Sequence, residues 1–277
     1  MVKPAAKKEV VAYLVENHRM SIRQACGTAH LNRSSYYYVE KGPDKDDEVI
    51  DALEALALKH PTAGFPMMFN RLRNNGCPWN HKRVYRVYKS LNMNLKRRRK
   101  RPLPKRDPSP LEAPCEANSV WSMDFMSDSL YHGRRFRTFN VIDEYNREAC
   151  WLEIGISIDS RKVVEILENL VAERGAPEKI RVDNGPEFTS FHFRSFCKRH
   201  DIHIAYIEPG KPTQNAFIER FNRSYRTEVL DVYIFKTLKE VREISHAWIE
   251  DYNHHRPHSS LGYLSPIDFA KQQLSAN

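Results

Sequence analysis

The chain lacks any apolar run near the ~18 uninterrupted residues that a membrane span needs, so the membrane-spanning class drops out and a soluble protein is expected. Its start, MVKPAAKKEVVAYLV, has lysines but no apolar block leading to a small-residue cleavage site, so no secretory signal is read and the cytoplasm is the expected location. Cysteine is scarce: five, at 26, 77, 115, 150 and 197, odd in number and never spaced C-x-x-C, which argues against a disulfide framework or a zinc knuckle. The histidines gather only in HHRPH, 254–258, with no cysteine or carboxylate at ligand spacing, so a surface or hydrogen-bonding role is read there rather than a metal.

What is present is charge, unevenly placed. Residues 1–106 hold 23 Lys and Arg against 9 Asp and Glu, while residues 107–277 hold 21 against 26. A basic front joined to a mildly acidic back suits a protein that neutralises phosphates with one part and does something else with the other. Over residues 1–42 a helix at about 7–17, Ser21 capping IRQACGTAH, and the short polar segment RSSYYYV read either as a helix-turn-helix presenting Arg33, Ser34 and Ser35 or as a helical hairpin with three core tyrosines. Residues 46–95 form a second helical, helix-turn-helix-like module. Asn75-Gly76 ends one of its helices, and NHKRVYRVYKSLN starts another, whose apolar stripe (Val84, Val87, Tyr88, Leu91) leaves Lys82, Arg83 and Arg86 as DNA-facing candidates. Residues 96–117 read as a linker. Its start, KRRRKRPLPKR, is too basic and proline-rich to pack a core and offers Lys96, Arg97, Arg98, Arg99, Lys100 and Arg101 to a DNA backbone.

From about residue 118 the periodicity changes. SVWSMDFM, FRTFNVID and REACWLEIGIS read as an antiparallel meander, with a turn at DEYN. A helix capped by Ser160 and closed by Gly175, the short strand EKIRVD, a helix, the strand IHIAYIEP, and helices at 214–230 and 237–252 follow. The predicted fold class is therefore α+β and multidomain: helical modules, an α/β mixed-sheet core over 118–235, and a helical segment over 236–277.

Three carboxylates carry the chemistry. On the helix at 214–230, Phe217, Ile218, Phe221, Tyr225 and Val229 form one apolar arc, and Glu219 points the other way. That is the ordinary place for a solvated glutamate, but Asn215, Arg223 and Arg226 are expected on the same face, and the loop before it carries Lys211, so the face is read as meeting an anion. Asp124 lies within a strand and Asp183 ends one, positions that disfavour aspartate unless it is hydrogen-bonded or functional. Two strand carboxylates and one helical carboxylate meeting at a sheet edge can hold two Mg²⁺ ions, which take hard oxygen ligands, few carboxylates and substrate phosphate oxygens. Such a pair serves in-line displacement at a phosphodiester.

The stretches WSMDFM, RVDNGPEF and PTQNAFIERFNRSYR, with 35 residues between Asp183 and Glu219 and Arg226 seven after the glutamate, resemble the two-aspartate-one-glutamate core of insertion-sequence transposases. The likeness is to the second-frame (OrfB) product of the insertion sequence three family; it covers nearly the whole chain, including WIEDYNHHRPHSSLGYLSPIDFA. It implies a ribonuclease-H-like integrase core in which Asp124, Asp183 and Glu219 bind two Mg²⁺ ions, with Mn²⁺ as substitute, and Arg226 contacts donor DNA. It also implies 3′-end cleavage and strand transfer into target DNA, an oligomer on DNA near the nucleoid, no membrane, and fusion by frameshifting to an upstream reading-frame product. Asn184 and Gly185 would shape the turn after Asp183. The zinc module of the viral integrases has no counterpart here, and no heptad run replaces the upstream partner's coiled coil. Two other functions compete: a DNA-binding regulator without catalysis, and a nuclease of RNA–DNA hybrids. Among rival carboxylates, Asp128, Asp143 and Asp159, Asp143 is the strongest, though a turn role in DEYN explains it.

Overall fold

The computed structural model describes residues 4–38, 46–95, 111, 113–208 and 212–276. Lys211 and the run Lys96, Arg97, Arg98, Arg99, Lys100 and Arg101 lie outside the described residues. The chain divides into two units, Met1–Glu48 and Val49–Asn277.

In the first unit, α1 (Pro4–His18), α2 (Ile22–Thr28) and α3 (Arg33–Tyr37) surround a small core of Val11, Ala25 and Cys26. Ser21 caps α2 as its sequence implies, in a reciprocal pair with Gln24 that satisfies end donors from both sides. Of the three tyrosines only Tyr36 joins the core; Tyr37 and Tyr38 are exposed. The segment that a recognition helix would occupy is a helix of five residues, with Arg33 and Ser34 exposed and Ser35 half-buried.

From Val49, within α4 (Asp47–Lys59), the second unit continues through α5 (Phe65–Asn74) and α6 (His81–Ser90). Asn75 and Gly76 end α5, Gly76 taking a φ of +83° that favours glycine, and the Asn80 side chain caps α6. Val84, Val87 and Tyr88 are buried against Leu53, Phe65 and Leu72, so Lys82 and Arg86 are left on the outer side of α6 and Arg83 is half-buried.

The sheet comprises β1 (Val120–Ser129), β2 (Arg135–Asp143), β3 (Ala149–Gly155), β4 (Lys179–Val182) and β5 (His203–Tyr206), in the order β3-β2-β1-β4-β5. The first three pair antiparallel, and β4 and β5 run parallel to β1, the arrangement of a ribonuclease-H-like sheet. Alternation along the strands separates two faces. Trp121, Met123, Phe139 and Val141 pack against α7 (Ser160–Arg174) and α9 (Phe191–Arg199); the four-residue α8 (Pro186–Thr189) contributes Phe188. Phe136, Ile142 and Ile154 pack on the other face, under α10 (Ala216–Tyr225) and α11 (Leu238–His254), and α12 (Pro266–Ala276) follows. One expectation is corrected: α7 is capped by Asp159, whose carboxylate accepts from the Lys162 N–H, and Ser160 is the first helical residue. Between adjacent side chains both able to cap, the path of the chain out of β3 selects one.

The helical trio α4–α6 is tied to the sheet's helices through buried charge. Arg71, 5% exposed, forks onto Asp251 of α11, with Nη1 donating to Oδ1 at 3.0 Å and Nη2 to Oδ2. The Asn74 amide donates to the Tyr263 carbonyl at 2.9 Å. Removing one partner of such a pair would leave a buried charge unanswered, at a cost of roughly 3–5 kcal/mol.

Candidate active site

Asp124 lies near the middle of β1, on the α10 face, opposite Asn140 of β2. β1 and β4 run parallel, with Ser122 beside Arg181; carrying that register on by two residues sets Asp124 beside Asp183, the residue after β4. Adjacent strands lie ~4.8 Å apart, so the two aspartates become neighbours although 58 residues separate them. α10 packs over β1 and β2 and brings Glu219 to the same end. Ile218, Phe221 and Tyr225 are buried beneath it, as the apolar arc requires, while Glu219 stays half-exposed.

The electrostatics register this convergence. Burial pushes the Asp124 carboxyl up to about 6, and the charges of Asp183 and Glu219 add to that push, against hydrogen bonds from the Phe125 N–H and the Asn222 amide. Glu219 is also raised by burial, with Arg223 opposing. Asp183 Oδ1 accepts from the Gly185 N–H at 2.9 Å, and a Cβ built on Gly185 would stand 2.9 Å from that oxygen. Any side chain there would have to push the Asp183 carboxylate aside, so glycine leaves room for its close approach; its φ is an ordinary −59°.

Sequence reading missed two residues that orient Asp124. Asn222 Nδ2 donates to Asp124 Oδ2 at 2.7 Å, and Asn140 Nδ2 donates to Asn222 Oδ1 at 2.7 Å. Both amides are buried, and a hydrogen bond to a carboxylate contributes ~1.5–3 kcal/mol. The signals were an asparagine flanked by the apolar Phe139 and Val141 in its strand and one three positions after Glu219, about 60° round the helix from it.

The basic residues behave differently from one another. Arg223 is exposed. Arg226 is held by Asp128, 2.9 Å from Nη1, and by the Ser127 carbonyl, 2.9 Å from Nη2, so a phosphate would compete with a carboxylate for it. It opens a π-helical turn, Arg226–Leu230. Asn215, expected on the open face beside Glu219, is instead buried at 3% exposure, its Oδ1 without a hydrogen-bond partner among the described residues. The rival acids have structural duties. Asp159 caps α7, Asp128 pairs with Arg226, and Asp143 accepts from the N–H groups of Asn118 and Tyr145 at 2.7 and 2.9 Å.

Among the described residues no group of three or more His, Cys, Asp and Glu forms a ready metal site. The acids near Asp124 are an open set, each of the two aspartates already bonded to internal donors. Their chemistry nevertheless fits a hard divalent cation, since all the donors are carboxylate oxygens and their mutual repulsion is what such an ion relieves.

Residues 114–212 and 200–266 match two families, each described as integrase core domain, and residues 44–101 match an HTH-like domain, which falls on the second helical module. A 31.7 kDa protein of insertion element IS407 from Burkholderia multivorans is 38% identical over 92% of this chain and 92% of its own. A 39.2 kDa protein of insertion element IS476 from Xanthomonas euvesicatoria is 35% identical over 96% and 77%. The putative transposase InsK of IS150 from Escherichia coli is 25% identical over 88% and 91%. Among solved structures, the simian T-cell lymphotropic virus intasome overlays with a TM-score of 0.47 at 14% identity, covering 79% of this chain and 73% of that one. No helix among the described residues is long and apolar enough to cross a membrane.

Proposed function

Because the chain belongs to the family of insertion-element transposases that carry an integrase core domain, we propose that it cleaves the 3′ ends of its element and joins them to target DNA, with Asp124, Asp183 and Glu219 as its metal-binding acids. The observation that carries this reading is the position of Asp124, set beside Asp183 by two parallel strands and feeling the charges of both Asp183 and Glu219, in a fold whose rival acids Asp128, Asp143 and Asp159 serve structural contacts.

In this reading the three carboxylates hold two Mg²⁺ ions, with Mn²⁺ as substitute. When bound, such a pair supplies Lewis-acid stabilisation to the attacking and leaving oxygens of an in-line phosphodiester displacement. The chain's own work is placement. Asn222, braced by Asn140, fixes the Asp124 carboxylate, and the Gly185 N–H fixes Asp183. α10 carries Glu219 and, one turn on, Arg223, which aims a positive charge at the substrate backbone. Arg226 and Lys211, Lys82 and Arg86 on the outer face of α6 with the half-buried Arg83 beside them, and the 96–101 run complete the proposed DNA track, the first by exchanging Asp128 for a phosphate. The domain divisions at 1–42, 46–95, 96–117, 118–235 and 236–277, assembly into an oligomer on DNA, and fusion to an upstream reading-frame product belong to the same proposal.

The test is strand transfer of a labelled duplex carrying the element's end, with Mg²⁺, by the full chain and by Asp183→Asn. The variant is expected to bind DNA and join none; full joining by the variant would end the proposal. A metal-independent DNA-binding regulator would show no joining in either protein.

A further inference from the structure

Beside Glu219 lies a cleft of about 720 Å³, walled by the start of α5 (Pro66, Met67), by α10, and by the segment Arg256–Tyr263 that contains the RPHSSLGY stretch. Its size falls in the ~300–1,000 Å³ range in which small organic ligands are held. Four arginines line it: Arg147, Arg220, Arg223 and Arg256. Glu228 answers Arg256. Arg220 and Arg223 are exposed, and their guanidinium groups make no hydrogen bond or ion pair among the described residues.

Arg147 is the least expected of the four. Its guanidinium carbon stands 3.6 Å from the centre of the Phe217 ring, and its Nη1 is buried without a hydrogen-bond partner among the described residues. Buried donors are rarely left unpaired, and a cationic one is the costliest kind. The cleft thus offers a flat cation stacked on an aromatic ring, two further free cations, and a single lining carboxylate, Glu219, at the proposed reaction centre.

We propose that this cleft takes one unpaired nucleotide of a DNA strand next to the reacting phosphodiester, its base against the Arg147–Phe217 stack and its phosphate on Arg220 and Arg223. Concavity selects an unpaired nucleotide. Bases within a duplex have both faces covered by their neighbours, whereas a strand with a base swung out presents a free face for stacking and a backbone for the arginines. The inference rests on DNA being the substrate, as proposed above, and adds a role for Arg147, Arg220 and the Arg256–Tyr263 segment.

The experiment is fluorescence anisotropy with the full chain in EDTA, so that no chemistry intervenes, using a labelled mixed-sequence single-stranded oligonucleotide and the same oligonucleotide annealed to its complement. Arg220→Ala, on an exposed residue, and Arg147→Gln, checked for folding by its thermal melt, are each expected to weaken single-strand binding about five- to tenfold and duplex binding less than about twofold. Arg220→Ala is also expected to flatten the salt dependence for the single strand by about 0.7 in log–log slope, the share of one neutralised phosphate. A second readout is photo-crosslinking from 5-iodouracil placed at successive positions of the single strand, expected to map to peptides holding Phe217 or Tyr263. Unchanged single-strand affinity and slope in both variants, equal losses on single strand and duplex, or crosslinks confined to other surfaces would each overturn the proposal. Because binding is read without metal, such a failure is separable from failure of the transposase reading, which strand transfer by Asp183→Asn decides.

Discussion

Asp124 and Asp143 stand on neighbouring strands of one sheet, three residues apart in register, since Trp121 is the partner of Asp143. Burial raises the pKa of both. They differ in company. Asp143 receives two backbone N–H groups and lies near Arg174, so its charge is resolved locally and it closes the β2–β3 turn. Asp124 receives the N–H of the next residue and one amide, and it faces two other acids whose charges oppose its own. A buried carboxylate is therefore a poor marker of function by itself; one held among like charges, with its orientation enforced by buried amides, is a better one.

The contrast can be broken most decisively at Asp124. Asp124→Asn is expected to lower strand transfer about a thousandfold, the several kcal/mol that a lost metal-binding charge represents, while the thermal midpoint stays level or rises as repulsion is relieved. A midpoint that fell as far as that of an Asp143 variant would make the two aspartates equivalent and erase the distinction. Next in size, Asp143→Ala leaves the Asn118 and Tyr145 N–H groups without acceptors. It is expected to destabilise by about 2–4 kcal/mol in urea melts, with joining per folded molecule preserved.

Gly185→Ala sharpens the comparison on the Asp183 side. Its Cβ would arrive 2.9 Å from the Asp183 carboxylate oxygen, so joining should drop by roughly tenfold while stability moves by less than ~1 kcal/mol. The smallest effect is a control in which burial acts without an acidic cluster. His60 is lowered to about 4, by burial first and then by Arg71. The unfolded chain takes up a proton below about 6.5 and the folded chain not until about 4, so this group's contribution to stability falls as pH drops through that window and levels off below it. Between pH 7.5 and 5.5 the loss is about 1.4 kcal/mol, and urea melts of His60→Gln should lack that part of the decline.

Much of the fold was legible in residue order because it rests on short-range regularities. The meander, the Ser21 cap, the Asn75-Gly76 stop and the arc of Ile218, Phe221 and Tyr225 each follow from periodicity or from a capping side chain within a few positions. Other features had no local signature. Asp159 in place of Ser160 as the cap of α7 was a choice between adjacent residues of similar capping ability. The burial of Asn215, expected on the open face, depended on how the 3₁₀ turn Pro212–Asn215 leads into α10. The capture of Arg226 by Asp128 needed a strand 98 residues earlier.

Residue order by itself determined the types of element, their sequence along the chain, and which acids stand where acids are costly, because these depend on contacts within a turn of helix or a step of strand. Only the tertiary structure decided that Asn140 braces Asn222, that Arg71 finds Asp251, and that Arg147 lies over Phe217 beside a cleft. Those pairings are 82, 180 and 70 residues apart, and nothing in a linear string sets a distance between such groups until the strands have paired and the helices have packed on them.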